Sequence, residues 1–248
     1  MPAVSKVRSP ADPLDFSGMS VIVTGGTRGL GRVIARTFLD AGADVLVCAR
    51  NAPDSPITSS DGERPAAFVA ADVRDADQVA AAVAAAFESA GRLDVLVNNA
   101  GGAPPADSAT VSPRFNEKIL ALNLMGPMTF SQAARRAMVD PSNPAGGGVI
   151  LNISSVSGSR PNPGGVAYGA AKAGLENMGR TLAHEWGPEV RVVTVTVSEE
   201  RRAGQAGRPR WAPDPLNNKH AVSDTSSLPT SPSAPSPTTP PLTTLILS

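Results

Sequence analysis

Six short runs of Val, Ile, Leu and Ala, none alternating strictly with polar residues, limit what this chain can fold into. They are MSVIVT (19–24), DVLVCA (44–49), AAFVA (66–70), DVLVNN (94–99), GVILNIS (148–154) and VRVVTVTV (190–197). A strand wetted on one face carries a polar residue at every second position, whereas a run apolar at consecutive positions suits a sheet covered on both faces. Longer amphipathic stretches at 30–39, 76–90, 114–138 and 167–185 separate the runs and are predicted as helices. Strand–helix–strand repetition with right-handed crossovers gives an α/β fold, a doubly wound parallel sheet. Ligands of such sheets bind outside the carboxyl ends of the strands.

The remaining stretches read as connections. Residues 51–65 are polar and hold Pro53, Pro56 and Pro65, and residues 140–148 are rich in turn formers. Beyond Ser198 the composition changes to a basic, glycine-containing stretch at 201–210 and a Ser/Thr/Pro tract at 226–241. Such segments cannot bury enough apolar surface to offset their ordering entropy. The expected organisation is a disordered N-terminus (1–14), one folded domain (15–198) and a disordered tail (199–248).

The 22 basic and 22 acidic residues balance, so charge gives no case for nucleic acid or an anionic membrane as partner. Cys48 is the one cysteine, too few for an internal disulfide or a Cys-rich metal site, and fits a reducing cytoplasm with no metal. The first residues lack the apolar core of a secretory signal, and no stretch approaches the roughly 20 apolar residues of a membrane span. A cytoplasmic protein is expected.

The first run ends in TGGTRGLG, residues 24–31, directly before a helix. Glycines let a backbone turn sharply and approach a ligand, and a helix N-terminus offers free N–H groups to a pyrophosphate. A carboxylate at the end of the second strand would bind a ribose 2′-hydroxyl; here that strand ends Ala49-Arg50, and Arg28 lies in the glycine loop. Two guanidinium groups suit a 2′-phosphate, so NADP(H) is favoured over NAD(H).

Chemistry concentrates in residues 154–174. Tyr168 and Lys172 are four apart on a predicted helix and share a face, where an ammonium favours the phenolate over the phenol. A hydroxyl from Ser155, at the end of the fifth strand, can bond a carbonyl or its alkoxide.

Together these residues resemble the short-chain dehydrogenase/reductase family. The resemblance rests on TGGTRGLG (24–31), Asp72-Val73, Asn98-Asn99-Ala100-Gly101, Asn123, Ser155 and Tyr168-Gly-Ala-Ala-Lys172, in the family's order, and covers about residues 14–197. It implies a Rossmann-type sheet and hydride transfer between NADP(H) and a small-molecule carbonyl or alcohol. It further implies Gly25, Thr27, Arg28, Gly29, Leu30, Gly31 and Arg50 about the cofactor phosphates and ribose. Asp72 and Val73 would meet the adenine, and Asn99, Ala100 and Gly101 would close the adenosine pocket. Tyr168 would be the general acid/base and, with Lys172, would bind the cofactor; Ser155 would orient the carbonyl, Lys172 would hold the nicotinamide ribose, and Asn123 would hold a relay water. A homodimer through helices 114–138 and 167–185 is implied as well.

The family's sixth strand is followed by Pro-Gly, a substrate-covering segment, a helix and a seventh strand. Here Ser198-Glu199-Glu200-Arg201-Arg202 stands in that place. A reading frame altered near Ser198 would account for the change, and Val190 to Val197 would then form an exposed sheet edge. Two functions therefore stay open: a working carbonyl reductase, and an impaired NADP(H)-binding remnant without its substrate lid. A regulatory role for the Ser/Thr/Pro tail is a third.

Overall fold

A computed structural model describes residues 14–198; apart from Leu14, the two terminal stretches read from sequence as disordered lie outside the described residues. Within that span the chain runs β1 (Ser20–Thr24), α1 (Gly29–Asp40), β2 (Asp44–Ala49), β3 (Ala67–Ala70), α2 (Ala76–Ala90), β4 (Val95–Asn98) and α3 (Pro113–Leu120). After a π-helical turn (Ala121–Met125) follow α4 (Gly126–Met138), β5 (Gly148–Ser155), a short 3-10 turn (Val156–Gly158), α5 (Val166–Trp186) and β6 (Val190–Val197). Each of the six apolar runs is a strand. They form one parallel sheet in the order β3-β2-β1-β4-β5-β6, a Rossmann-type arrangement.

Consecutive apolar residues are explained by two separate cores. Ile22, Leu96, Ile150 and Val192 face α2 and α4, packing with Val79, Val83, Phe130 and Met138. Their sequence neighbours Val21, Val23, Val95 and Val97 face the other way, onto Ala35 and Leu39 of α1. Each buried Val, Ile or Leu contributes about 1.5–3 kcal/mol relative to exposure, so both faces have to be apolar where both are covered. Local signals set the helix ends. Asp75 caps α2 by accepting from the Asp77 and Gln78 N–H groups, Gly91 ends it at φ +67°, and Ser112 caps α3 ahead of Pro113.

One expectation needs correction: residues 114–138 do not form a single α-helix. Pro127 has no N–H to return to the Asn123 carbonyl, and the Asn123 side-chain amide bonds the Ile119 carbonyl four residues back. The helix widens there, with the Gly126 N–H donating to Ala121 five residues back, before α4 resumes. The predicted connection at 51–65 is a loop fastened to α1. Arg32 donates to the Ser55 and Pro56 carbonyls at 3.0 and 2.8 Å, and the Ser60 hydroxyl donates to Asp40.

The strand order turns around between β1 and β4. From β1 the chain builds outward to β3 and then returns to lay β4 on the opposite side. The crevice at the carboxyl ends of β1 and β4 is where such a sheet accepts a ligand.

Candidate active site

At that crevice Thr24, the last residue of β1, ties the two strand ends together. Its buried hydroxyl accepts from the Asn99 and Ala100 N–H groups at 3.0 and 2.9 Å and donates to the Val97 carbonyl. The Asn99 amide donates in turn to the carbonyls of Thr24 and Gly25. Gly25 adopts φ +64°, and a Cβ there would stand 2.9 Å from the Ala100 Cα. A Cβ on Gly31 would collide with the Gly25 carbonyl and the Asn99 amide. Two backbones therefore meet where only hydrogen atoms fit between them. The following helix starts with no side chain capping it: Arg28 occupies the cap position and makes no capping bond. The first N–H groups of α1 thus face the crevice with the positive end of the helix dipole.

A cavity of about 660 Å³ opens over this loop, within the range of nucleotide and drug-sized sites. Gly25, Thr27, Arg28, Gly29, Leu30, Gly31, Arg50, Asp72, Val73, Asn99, Ala100 and Gly101, all singled out from sequence, line it. The close glycine cradle, the uncapped helix start and the cationic rim fit a dinucleotide with a pyrophosphate. Three arginines rim the cavity, because Arg74 joins Arg28 and Arg50. Arg74 grips Asp72, with Nε 2.9 Å from Oδ1, and this bond holds the Asp72 carboxyl down to about 2. Cys48 also reaches the wall, but burial pushes its pKa up to about 12, which leaves an inert thiol.

The other four predicted residues do not line this cavity; they lie on the π-helical turn, at the end of β5 and on α5. Asn123 sits fully buried in the π-helical turn, its amide donating to the Ile119 and Gly102 carbonyls while its oxygen accepts from the Gly102 N–H. Lys172 is 4% exposed, and its Nζ donates to the Ile153 carbonyl at 2.7 Å. Withdrawal from water lowers its pKa to about 8. Its ammonium lies 5.6 Å from the centre of the Tyr168 ring, one helical turn earlier on α5. Ser155 closes β5, half-buried, its hydroxyl accepting from the Ser157 N–H at 3.2 Å. Gly101 joins the two halves: a Cβ on it would stand 2.7 Å from the Asn123 oxygen and 3.4 Å from the Lys172 Nζ.

Sequence reasoning passed over several contributors. Asn51 to Asp54, the start of a segment read only as a loop, form one wall of the cavity, as does Leu122. Thr24 was legible in principle, since a threonine ending an apolar strand has a hydroxyl to spend on a neighbour. Arg74 offered no periodic or spacing signal.

The model for short chain dehydrogenases matches residues 19–199, from β1 through β6. The chain belongs to the short-chain dehydrogenase/reductase family. Among curated members, D-threitol dehydrogenase of Mycolicibacterium smegmatis is 36% identical over 185 residues, covering 73% of this chain and 70% of that one. Across three other curated relatives the chain spans 70, 65 and 66% of the relative's own length. A solved short chain dehydrogenase from Mycobacterium smegmatis superposes with a TM-score of 0.66 at 31% identity, covering 75% of this chain and 79% of that one. Carveol dehydrogenase from Mycobacterium avium, solved in complex with NAD, gives a TM-score of 0.65 at 28% identity, covering 73% and 71%. The short-chain family uses nicotinamide cofactors in alcohol and carbonyl oxidoreduction. Among the described residues of this member, no helix is long and apolar enough to cross a membrane.

Proposed function

We propose that this chain interconverts a small-molecule ketone or aldehyde and the corresponding alcohol, with NADP(H) as the preferred cofactor. The observation that carries the reading is Lys172. A buried ammonium stands beside the Tyr168 ring and beside Gly101, so one cation serves both the cavity and the tyrosine. The bound nicotinamide supplies or accepts the hydride.

The chain's own residues do the rest. The Ser155 hydroxyl, held at the end of β5, bonds the carbonyl oxygen and stays with it as negative charge develops. The Tyr168 hydroxyl gives a proton to that oxygen in reduction and takes it back in oxidation. The Lys172 ammonium stabilises the tyrosinate left behind and binds the nicotinamide ribose. Asn123, with its amide fixed by Ile119 and Gly102, holds the backbone about Gly102 in place for a water that returns the proton. Arg28 and Arg50 support the choice of cofactor, since both line the cavity and no carboxylate ends β2. A homodimer through the helical segments 114–138 and 167–185, as the family resemblance implies, is testable by light scattering.

The test is NADPH consumption by the purified chain across a panel of ketones and aldehydes, with a thermal melt alongside. NADPH at a hundred times its dissociation constant raises stability by about 2.7 kcal/mol, against a smaller shift with NADH. Arg50→Ala is expected to weaken NADPH binding by about ten- to a hundredfold, the worth of a charge-assisted bond, and to leave NADH binding nearly alone. Equal binding of both cofactors by the unmodified chain would remove the NADP(H) preference.

A further inference from the structure

One carboxylate largely withdrawn from water takes no part in that chemistry. Glu176 lies one helical turn beyond Lys172 on α5, with its side chain only 16% exposed. Its oxygen Oε1 accepts two hydroxyls at 3.0 Å each, from Ser154 on β5 and from Thr196 on β6. Ser154 and Thr196 are register partners on adjacent parallel strands, so the carboxylate spans both strand ends from the helix above them. Among the described residues the other oxygen has only Arg180, at 3.8 Å, on a side chain 73% exposed. A carboxylate withdrawn from water costs stability unless charge-assisted bonds compensate it. Here those bonds reach two different strands, one of them the strand that ends in Ser155.

The same turn of α5 grips β5 at neighbouring points. Lys172 donates to the Ile153 carbonyl at 2.7 Å, and its own carbonyl lies 3.3 Å from the Ser154 hydroxyl oxygen, a longer alternative to the bond that hydroxyl gives Glu176. The turn after Ser155 is pressed onto the helix as well: a Cβ on Gly158 would stand 2.9 Å from the Ala173 nitrogen and 3.3 Å from the Glu176 oxygen. Residues 153 and 154 are thus held directly by Lys172 and Glu176, and residue 155 is the next link. We infer that Glu176 is a positioning residue: its carboxylate, through Ser154 and Thr196, fixes the end of β5 to the helix carrying Tyr168 and Lys172 and so sets where Ser155 stands relative to them. The inference rests on the roles proposed above for Ser155, Tyr168 and Lys172. A displacement of about 1 Å at a reacting group can cost a hundredfold in rate, so a clamp this near the hydroxyl has a large effect.

The experiment uses the full chain with Glu176→Ala, Glu176→Gln, Ser154→Ala and, as control, Arg180→Ala. Glu176→Ala is expected to lower kcat by about ten- to a hundredfold while the dissociation constant for NADPH changes by less than about twofold, because the cofactor cavity is built on the other strand ends. Glu176→Gln keeps the accepting oxygen and recovers kcat to within about threefold of the parent. Ser154→Ala removes one of the two hydroxyls that Glu176 holds, so combining it with Glu176→Ala costs less than the sum of the two single losses. Arg180→Ala leaves kcat alone. A parental kcat in Glu176→Ala, a joint collapse of NADPH binding and turnover, or a Glu176→Gln no better than Glu176→Ala would each overturn the inference. Hydrogen exchange separates its failure from that of the functional reading. Even if the parent chain reduces no carbonyl, Glu176→Ala must speed exchange at residues 153–155 and spare residues 21–23, and unchanged exchange at 153–155 sinks it.

Discussion

β1 and β6 are both valine-rich strands of one parallel sheet, yet every residue of β1 is buried while β6 is buried only at intervals. On β6, Val190 and Val192 enter the core beneath α5, whereas Val193 and Val195 on the opposite face are 47 and 41% exposed. What differs is the cover. On the second face α1 packs over β1 and β2, and no described helix does the same for β6. The contrast extends to the two halves of the site. The cofactor end is shaped by backbones that meet at glycines, a steric device that works as soon as the sheet closes. The catalytic end is held by individual side-chain bonds between α5 and the last residues of β5.

The largest effect that would sharpen this division comes from Tyr168→Phe. Loss of the phenolic hydroxyl is expected to cut turnover by about a hundred- to ten-thousandfold, the usual worth of a positioned general acid. The cofactor end should not notice, so an NADPH titration followed by thermal melt should give the parental shift. A variant that loses both would show that the two halves are not separable.

Lys172 gives a smaller, pH-dependent effect on stability. Its pKa falls from the ordinary lysine range to about 8 because it is desolvated. Between about pH 8 and 10.5 the unfolded chain then binds more protons than the folded one, so stability attributable to this residue rises with pH. Below pH 8 the charged form is buried and the penalty is present in full; above about 10.5 it has gone. Lys172→Met should abolish activity, yet raise stability at pH 7 by about 1–3 kcal/mol and remove that part of the pH slope. Urea midpoints of parent and variant at pH 7 and 9.5 measure the difference, and parallel slopes would mean that Lys172 is not desolvated in solution.

The same contrast explains what the amino-acid sequence made legible. Strands could be placed because burial on both faces demands consecutive apolar residues, and the glycine loop because its spacing follows from backbone contact. Tyr168 and Lys172 stood out through their helical spacing, and Ser155 through its place at the end of a strand. The break at Asn123 was missed, although Pro127 supplies its cause, because amphipathic periodicity continues across a π-helical turn. Glu176 could not be found at all: its partners, Ser154 and Thr196, lie 22 and 20 residues away, and only the parallel register sets them side by side. For β6 the sequence predicts an exposed edge, and β6 is the last strand of the described sheet; which of its faces is covered does not follow from a valine run, which states strand preference and not what lies above it.

One substitution made in both strands tests the difference in cover directly. Val23→Thr places a hydroxyl of nearly the same volume where nothing is exposed and the surrounding core is aliphatic. The unsatisfied group should cost about 1–3 kcal/mol. Val195→Thr puts the same hydroxyl on the open face of β6, where water can bond it, and should change stability by less than about 0.5 kcal/mol. Chemical denaturation of the two variants at low protein concentration reads both numbers in one experiment. If Val195→Thr proved as costly as Val23→Thr, that face of β6 would be covered in solution. Repeating the measurement at higher protein concentration would then separate the two sources of cover: a penalty that grows with concentration comes from a second copy, and one that does not comes from within the chain.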